Sequence, residues 1–314
     1  MHIRKYIWGI CYGLILTVFT GYVLLDTFVL KQVYSVVPSE HSQTSDTDTQ
    51  KESTFLQEDA DMNTSNDESD APVITDRSYQ DNNISITVTE HREYNSAIYV
   101  ADILLSSAEY LKTAFAEGAY GKNVTEKTSV IANKTSAILA INGDFYGSRE
   151  RGYVLRNGAV YRNTPSANQE DLVIYADGSF SIITEDEISA DELSANGAQQ
   201  IFSFGPALVM DGKISVTKDE EVGKAMASKP RTAIGIIDEL HYVFIVSDGR
   251  TRESEGLSLH ELAEFMQSIG VTTAYNLDGG GSSTMCFNGE VINKPTTGGR
   301  RIKERSVSDI VYIG

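Results

Sequence analysis

Three aspartates stand beside a glycine, each directly after a stretch of apolar residues, and they are the first candidates for chemistry. Asp144 lies in NGDFYG, Asp248 in VSDGR and Asp278 in NLDGGGSSTM. Side chains at the ends of strands are held by the scaffold and remain open to solvent, which suits a binding or catalytic site. A single aspartate–glycine pair is typical of a turn. Three of them, one followed by a triple glycine, favour a functional site.

The glycine-rich stretch predicts a loop that brings its backbone close to a ligand. Gly279, Gly280 and Gly281 can adopt positive φ, and successive backbone N–H groups left uncovered form a concavity that attracts anions. Ser282 and Ser283 follow and add hydroxyl donors. The stretch is neither a P-loop, because the GK[ST] ending is absent, nor a G-x-S-x-G nucleophile elbow. A nucleophilic role for Ser282 is therefore not indicated.

One arginine is a candidate for holding an anion. Arg231, in KPRTAIG, opens an apolar strand, and its planar guanidinium matches phosphate oxygens. A surface salt bridge is the alternative for this residue. Histidines offer little, because HELAE at His260 lacks the second histidine of a zinc helix. Without a His or Cys constellation, acid–base work falls to carboxylates, as in glycosidic bond cleavage.

The motifs NGDFYG, KPRTAIG, SDGR, NLDGGGSSTM and ERSVSDIVYIG occur in this order, and together they resemble the phosphodiester glycosidase family. The resemblance covers roughly Ala137 to Gly314 and extends towards Ile84. It implies hydrolysis of a sugar-1-phosphodiester at the glycosidic C1–O bond. Bacterial members of this family are associated with exopolysaccharide biosynthesis, which points to a cell-surface or cell-wall glycopolymer, or its precursor, as substrate.

The resemblance gives the candidate residues their roles. Asp278 is the first candidate for the carboxylate that stabilises the cationic carbon, acts as nucleophile or activates water, with Asp144 second and Asp248 third. Arg231 and the amides of the glycine loop would bind the phosphate.

Three further residues complete the predicted site. Asn142 and Ser282 would orient sugar hydroxyls. Arg305, in ERSVSD, would pair with one of the carboxylates or contact the phosphate.

Two other functions stay open at this point. A non-catalytic binder of an anionic cell-wall glycopolymer would keep the glycine loop and Arg231. A metal-dependent phosphodiesterase cutting P–O would use the three aspartates as hard-cation ligands. No cofactor is required by the sequence, although the second alternative leaves a divalent cation open.

These residues must be positioned by strands and helices, and the sequence patterns of those elements predict an α+β fold, with a mixed, mainly antiparallel β-sheet core and flanking helices. Alternating or short apolar runs predict strands, and Asn-Gly or Asp-Gly at the centre of YVLRNGAVY and LVIYADGSFSII predicts hairpins with tight primed turns. FGPALVMDGKI is similar. The predicted strands include Ile84–Glu90, Ala97–Leu105 and Ala137–Asn142, and the predicted helices are Thr125–Lys134 and Leu257–Gly270.

The N-terminus predicts a membrane segment. Tyr6 to Leu25 is twenty residues without a charge, the length that crosses a bilayer core. Arg4 and Lys5 precede it, so the short N-terminus should stay cytoplasmic and the C-terminal domain should be extracytoplasmic. We expect a single-pass signal anchor within residues 1–30 that attaches the protein to the cell membrane. A cleaved signal peptide is the alternative.

An acidic stretch follows, which we interpret as a disordered linker over residues 31–76, with the phosphodiester glycosidase domain over 77–314. Residues 39–76 hold eleven acidic residues and one lysine, and a segment of this composition is too polar to bury a core.

Two kinds of binding are not indicated by these charges. The spacing of Asp59, Asp61 and Asn63 matches the start of an EF-hand loop, but Thr64 stands where that loop needs glycine. A net charge of −18 disfavours nucleic-acid binding, which depends on Lys and Arg.

Overall fold

The computed structural model of the chain describes residues 7–37, 71–217 and 228–314. Within these ranges the helices are α1 (Ile7–Phe28), α2 (Thr128–Lys134), α3 (Ala190–Ala195) and α4 (Leu259–Ser268). The strands of the same ranges are β1 (Gln32–Val36), β2 (Val73–Ile74), β3 (Ser78–Gln80), β4 (Ile84–Glu93), β5 (Ser96–Leu105), β6 (Leu111–Phe115), β7 (Ala119–Lys122), β8 (Glu126–Lys127), β9 (Leu139–Asn142), β10 (Gly152–Arg156), β11 (Ala159–Thr164), β12 (Glu170–Tyr175), β13 (Phe180–Thr184), β14 (Ala198–Phe202), β15 (Ala207–Met210), β16 (Lys213–Ile214), β17 (Arg231–Asp238), β18 (His241–Ser247), β19 (Thr273–Leu277), β20 (Met285–Phe287), β21 (Glu290–Val291), β22 (Ser306–Val307) and β23 (Asp309–Ile313).

Three sheets carry the fold. The largest has nine strands in the order β16-β15-β19-β17-β18-β5-β4-β3-β2, and two five-stranded sheets have the orders β11-β10-β14-β12-β13 and β21-β20-β9-β23-β6. β1 pairs with β7, and β8 pairs with β22. The long pairings at the centre of the sheets are antiparallel. The α+β fold with mainly antiparallel sheets and flanking helices is therefore confirmed.

The central strands of the nine-stranded sheet, such as β17 and β18, are covered on both faces, and this arrangement places the strand ends described below. Alternation along β17 sends Ile234 into the core shared with the five-stranded sheets. Ala233 points into the second core, against α4. Strands buried on both faces read as continuous apolar runs, and this is why TAIGIID lacks an alternating pattern.

α4 confirms the predicted helix and shows how its ends are fixed. Ser258 and Glu261 form a capping box at its N-terminus, which satisfies two otherwise unpaired N–H groups. Gly270, with φ of +90°, follows the C-terminus. The other predicted helix begins later than expected, at Thr128, because Glu126 and Lys127 pair with β22 instead.

The hairpin turns agree with prediction in two cases of three. Asn157 and Gly158 have φ of 50° and 78°, as the primed type I turn requires. Asp211 and Gly212 have φ of 50° and 70°. In the Asp-Gly hairpin between β12 and β13, Gly178 has positive φ at 85° whereas Asp177 does not, so this turn is of another type.

The N-terminal segment forms a helix and then a strand. Trp8–Phe28 of α1 is long and apolar enough to cross a membrane by length and composition, properties that a signal sequence and an anchor share. Most of the predicted linker, with Asp59, Asp61, Asn63 and Thr64, lies in 38–70, outside the described residues. At the two ends of that linker the described residues form β1 and β2.

Candidate active site

The ends of β9, β17 and β19 meet, although β9 belongs to a different sheet from the other two. The Asn142 side chain donates to the Asp278 carbonyl at 2.6 Å, and Thr232 donates to Asn142 Oδ1 at 2.8 Å. The Asp278 N–H in turn donates to the Gly143 carbonyl at 3.2 Å. NGDFYG and NLDGGGSSTM are therefore neighbours in space.

Asn142, predicted to orient sugar hydroxyls, lies below the surface and hydrogen-bonds to protein groups. It is fully buried, and its amide and its oxygen are both occupied by the contacts just given. The side chain holds the backbone of Asp278 through the carbonyl of that residue.

The glycine loop is tightly packed rather than open. The Gly280 N–H donates to the Pro230 carbonyl at 2.8 Å, so this amide is not uncovered as predicted. A Cβ on Gly279 would lie 2.9 Å from the same carbonyl, and one on Gly281 would overlap the Thr297 side chain. The glycines thus allow two neighbouring segments to approach the loop. Within the described residues, the N–H groups of Gly279 and Gly281 donate no hydrogen bond.

Asp278 belongs to a cluster at the solvent edge, which we call the glycine-loop cluster: Asp278, Ser282 and Arg305. Arg305 Nη2 donates to both carboxylate oxygens of Asp278, at 3.1 and 2.9 Å. Ser282 Oγ donates to Asp278 Oδ2 at 2.6 Å and accepts from Arg305 Nε at 2.8 Å. Burial raises the pKa of Asp278, and the Arg305 guanidinium opposes that rise. The predicted pairing of Arg305 with a carboxylate is what the structure shows.

Asp144 lies in a different environment, the buried triad of Asp144, Arg156 and Asp309. Arg156 Nη2 contacts Asp144 Oδ2 at 2.9 Å, and Arg156 Nε donates to Asp309 Oδ2 at 2.9 Å. Asp144 also accepts from the N–H groups of Tyr146 at 2.9 Å and Ser203 at 3.2 Å. Both oxygens of its carboxylate thus accept from protein donors.

The triad holds one cation between two carboxylates, and the two differ in their hydrogen-bond partners. Asp309 is fully buried, and its Oδ1 finds no hydrogen-bond partner in the part of the chain that the structure describes. Burial raises the pKa of Asp309 to about 7, against the opposing effect of Arg156. Asp144, by contrast, accepts hydrogen bonds from Tyr146, Arg156 and Ser203.

Asp248 is linked to the glycine loop only indirectly. Its Oδ1 accepts from the Lys294 N–H at 2.8 Å and from Asn293 Nδ2 at 3.1 Å. Asn293 also donates to the Ser283 carbonyl at 3.0 Å. Burial raises the pKa of Asp248. Its contacts hold the loop at 293–294 against the loop at 282–284.

Arg231 lies beside the glycine loop, on the α4 side. Its Nε donates to the Leu257 carbonyl at 2.8 Å, and its Cδ is 3.9 Å from the position of a Cβ on Gly279. The residue is 7% exposed, so its side chain lies below the surface. Ser283, predicted to bind substrate, is fully buried, and its hydroxyl makes no hydrogen bond within the described residues.

Sequence reasoning missed three arginine and aspartate positions. Arg156 gave no signal beyond a charge at the end of an apolar strand, whereas Asp309 lies in the motif ERSVSDIVYIG but was given no role. Arg250 did give a signal in the sequence, because it is the last residue of the motif SDGR. Arg250 has a φ of 62°, a conformation that costs energy outside glycine. Its guanidinium lies 3.0 Å from where a Cβ on Gly280 would be and donates to the Thr297 carbonyl.

Arg250 and Arg305 therefore flank the glycine loop as two cations that reach solvent. Arg250 is exposed, and the Arg305 side chain is 40% exposed. Arg305 Nη1 donates no hydrogen bond to any described residue. The arrangement offers a carboxylate and two guanidinium groups at one accessible edge, which suits an anion joined to an electron-deficient carbon.

Comparison with known proteins agrees with this chemistry. Residues 135–314 match the family described as phosphodiester glycosidase. The SPbeta prophage-derived uncharacterized protein YomE of Bacillus subtilis is 30% identical over 199 residues, 62% of this chain and 30% of that protein. N-acetylglucosamine-1-phosphodiester α-N-acetylglucosaminidase of Mus musculus is 29% identical over 175 residues, 50% of this chain and 33% of that protein. The chain thus spans about a third of the length of these curated relatives.

A solved structure shares the fold. The catalytic domain of zebrafish N-acetylglucosamine-1-phosphodiester α-N-acetylglucosaminidase superposes with a TM-score of 0.58 at 20% identity. The match covers 73% of this chain and 82% of that one. At this identity the likeness concerns the fold alone.

Proposed function

The chain belongs to the phosphodiester glycosidase family, and from that premise we propose that it hydrolyses the glycosidic C1–O bond of a sugar-1-phosphodiester. The substrate is a cell-surface glycopolymer or its precursor. The Mus musculus relative named for N-acetylglucosamine-1-phosphodiesters supports the reaction class.

One observation carries the proposal: the Asp278 carboxylate is held by Arg305 and Ser282 at an edge that solvent reaches. A phosphodiester leaves as a stable phosphate monoester, so little proton donation is needed. The demanding step is stabilisation of an oxocarbenium-like carbon beside an anion. Asp278 supplies negative charge to that carbon as nucleophile or electrostatic partner. Arg250 and Arg305 Nη1 stabilise the phosphate as charge moves onto it.

The contacts of the three aspartates favour this reaction over metal-dependent P–O cleavage. Asp144 binds Arg156, Asp248 binds Asn293 and the Lys294 N–H, and Asp278 binds Arg305. Across 7–37, 71–217 and 228–314, no group of three His, Cys, Asp or Glu side chains converges as metal ligands would. Carboxylates already occupied by separate protein donors are poorly arranged as one hard-cation site.

We further propose that the domain acts outside the cytoplasm, attached to the membrane through α1. The apolar helix and the basic residues before it support this orientation. Protease treatment of intact cells tests it. Degradation of the domain from Arg77 onward only after cell lysis would contradict an outward location.

The reaction is tested by hydrolysis of a panel of sugar-1-phosphodiesters in oxygen-18 water. We expect the label in the sugar product; label in phosphate would indicate P–O cleavage and overturn the proposal. Asp278→Asn should lower kcat/KM by about 1,000-fold or more, because it removes the charge that the transition state needs.

A matched control separates the catalytic effect of Asp278→Asn from a folding defect. Asp211→Asn changes an exposed turn whose positive φ asparagine tolerates, so activity should stay unchanged. The thermal midpoints of both variants should stay near that of the wild type. Substantial activity of Asp278→Asn would remove Asp278 from its assigned role.

A further inference from the structure

A polar cavity of about 370 Å³ lies where the end of α1 meets the domain. Its lining includes Asp26 of α1, Gln32 and Tyr34 of β1, Lys122 of β7 and Arg162 of β11. The described residues that line it include no member of the glycine-loop cluster. The cavity is therefore a second polar feature of the chain, and its place beside the apolar helix indicates what it can bind.

A short and closely packed junction joins α1 to the domain. β1 follows α1 after three residues and pairs with β7. Asn123 Nδ2 donates to the carbonyls of Thr27 and Leu30, both at 3.1 Å, so a side chain of the domain satisfies carbonyls at the end of the helix. A Cβ on Gly121 would lie 2.2 Å from the Gln32 carbonyl, so glycine is needed for β1 to approach this closely. The domain is thus attached to α1 directly, ahead of the acidic stretch.

The apolar length of the N-terminal segment sets the depth of the cavity in a bilayer. The uncharged run Tyr6–Leu25 has twenty residues, and twenty helical residues span about 30 Å, the thickness of the hydrocarbon core. Asp26 is the first charged residue after that run, and it lines the cavity. A membrane-spanning α1 therefore places the cavity in the headgroup layer, which is about 5–7 Å thick.

The surface beside the cavity suits the boundary between lipid and water. Val29, Leu30 and Val33 are exposed, although they adjoin the domain. Tyr34 is exposed as well, and tyrosine is enriched at this boundary because its ring is apolar and its hydroxyl is polar. A lipid surface would cover these side chains, which water would otherwise contact.

The cavity holds more positive than negative side chains. Lys122, Arg149 and Arg162 line it together with the carboxylates of Asp26 and Glu150. The Glu150 side chain is 84% exposed where it contacts Lys122 at 3.3 Å, so solvent screens that pair. The lining therefore favours an anion.

Arg162 is the cation that most clearly lacks a counter-anion. Its Nε donates to the Gly152 carbonyl at 2.6 Å, and its Nη1 donates to the carbonyls of Tyr146 at 3.1 Å and Arg149 at 2.6 Å. Its Nη2 is buried and has no hydrogen-bond partner among the described residues. Burial raises the pKa of the neighbouring Tyr120 hydroxyl, so that group is neutral. A buried charge is usually paired with an opposite one, and a phosphate oxygen would supply it.

We propose that this cavity binds the phosphate group of a membrane lipid headgroup, and that the domain lies directly on the bilayer surface. Glycerophospholipids carry their phosphate in the headgroup layer, where α1 places the cavity. A domain held in this way acts on material at the membrane surface rather than at the end of a flexible spacer. The inference rests on the proposed attachment of the domain to the membrane and is independent of the reaction at the glycine-loop cluster.

The first experiment measures lipid binding by the full chain in maltoside micelles, with native mass spectrometry as the readout. The probes are phosphatidylglycerol, diacylglycerol, which lacks the phosphate, and inorganic phosphate. We expect phosphatidylglycerol to bind at least about tenfold more tightly than either of the others. Equal binding of diacylglycerol would show that only acyl chains are bound, and equal binding of inorganic phosphate would show a site for the free anion. Either result, or no binding at all, would overturn the proposal.

Arg162→Gln tests the cation that the lipid phosphate would meet. Loss of a charge-assisted hydrogen bond should weaken phosphatidylglycerol binding about tenfold or more. Arg151→Gln is the matched control, since Arg151 is exposed and donates to the Pro165 carbonyl. Equal affinities of the wild type and Arg162→Gln would show that the lipid binds elsewhere.

A second variant covers the case in which Arg162→Gln fails to fold. Lys122 pairs with the exposed Glu150, so Lys122→Gln leaves the contacts of Arg162 with its carbonyls in place. Affinity for phosphatidylglycerol should fall about three- to tenfold, because one cation of the lining is lost. Unchanged affinity in Lys122→Gln would contradict the cavity as the binding site.

The second experiment tests whether the cavity lies at the headgroup layer. Ser148 is exposed and follows Gly147, which lines the cavity. A nitroxide is attached to Ser148→Cys in a chain that carries Cys11→Ser and keeps the buried Cys286, and the chain is placed in nanodiscs with a nickel-chelating lipid. We expect the lipid-bound nickel to speed the relaxation of the nitroxide. Absence of this effect would show that the domain stands away from the bilayer and would refute the proposal.

The mass of the chain purified from membranes separates this proposal from the proposed reaction. We expect α1 to be retained. A chain that begins after α1 would overturn the lipid site, because Asp26 and the bilayer would both be missing, yet it would leave hydrolysis at Asp278 untouched. A chain that binds the lipid but hydrolyses no sugar-1-phosphodiester would contradict the proposed function alone.

Discussion

The buried triad and the glycine-loop cluster both pair an arginine with an aspartate, yet they differ in access to solvent. In the triad the side chains of Arg156 and Asp144 are 2% and 0% exposed. In the glycine-loop cluster Arg305 and Asp278 are 40% and 11% exposed. The same two residue types thus form an internal brace in one place and an accessible charged edge in the other.

This difference separates structural from chemical roles. A substrate cannot reach Asp144 without displacing donors that bind it from three segments. Asp278 is bonded to Arg305, whose side chain a ligand can meet from solvent. We therefore expect changes in the triad to alter stability first and changes in the glycine-loop cluster to alter activity first.

Arg156→Met tests the buried triad and should have the largest effect on stability. It leaves Asp144 and Asp309 facing each other without a cation, and loss of one partner of a buried ion pair costs about 3–5 kcal/mol. The free energy of unfolding, from urea titration, should fall by that amount. Arg151→Met, at an exposed position, is the control and should change it by less than about 0.5 kcal/mol. A loss no larger than that of the control would show that the triad does not brace the fold.

Arg305→Lys tests the open cluster. Lysine cannot reproduce the contacts of Nη2 and Nε with Asp278 and Ser282, because its ammonium is a single point donor. We expect kcat/KM to fall about 10- to 100-fold, with an unfolding midpoint close to that of the wild type. Arg301→Lys, an exposed neighbour, should retain full activity. A large stability loss with unchanged kcat/KM would assign Arg305 to the scaffold.

Asp171→Asn tests how a buried carboxylate outside both clusters makes the unfolding free energy depend on pH. Asp171 is fully buried, and neither carboxylate oxygen has a partner within the described residues. Burial and the neighbouring Glu185 raise its pKa well above the usual value, with a further contribution from Asp144. The folded chain therefore holds a proton that the unfolded chain, with an aspartate pKa of about 3.9, releases.

The sign of that effect follows from proton linkage. Above about pH 4 the folded state binds more protons than the unfolded state, so the unfolding free energy falls by about 1.4 kcal/mol per pH unit until the folded pKa is passed. In urea titrations between pH 4.5 and 7.5, the unfolding free energy of Asp171→Asn should therefore fall less steeply with pH than that of the wild type, by about 1.4 kcal/mol per pH unit. Asp211→Asn should leave the slope as it is. Identical slopes for Asp171→Asn and the wild type would show that Asp171 is ionised when folded.

Ser282→Ala has the smallest expected effect. It removes a hydroxyl that joins Asp278 to Arg305 but leaves their direct contacts. We expect kcat/KM to fall about three- to tenfold, the contribution of one hydrogen bond. Ser283→Ala is the matched control, because its hydroxyl has no partner in the described ranges, and it should match the wild type. Equal losses in both variants would indicate a packing effect.

The sequence predicted the secondary structure closely where the signal is local. Alternation in ISITVTE predicted β4, and the apolar spacing with Gly270 predicted α4. Asn157-Gly158 predicted its turn type correctly, since both φ values are dictated by the dipeptide. Asp177-Gly178 did not, because an aspartate with negative φ is equally allowed there.

The candidate site was predicted only in part. The motifs identified the strand ends that meet, but not which aspartate is enclosed. Arg156 and Asp309 are 153 positions apart, and no spacing pattern in the sequence predicts a contact over that distance. Arg250 stands over Gly280 because of its own backbone conformation and the approach of Thr297.

The sequence by itself determined the apolar N-terminal helix, the strands, the capped helix α4 and the family motifs, because each depends on residues a few positions apart. Only the tertiary structure decided that Asp144 is paired with a buried arginine and Asp278 with an arginine that reaches solvent. Burial is a property of contacts between distant segments: Arg156, Ser203 and Asp309 enclose the one carboxylate, whereas the partner of the other, Arg305, is 40% exposed.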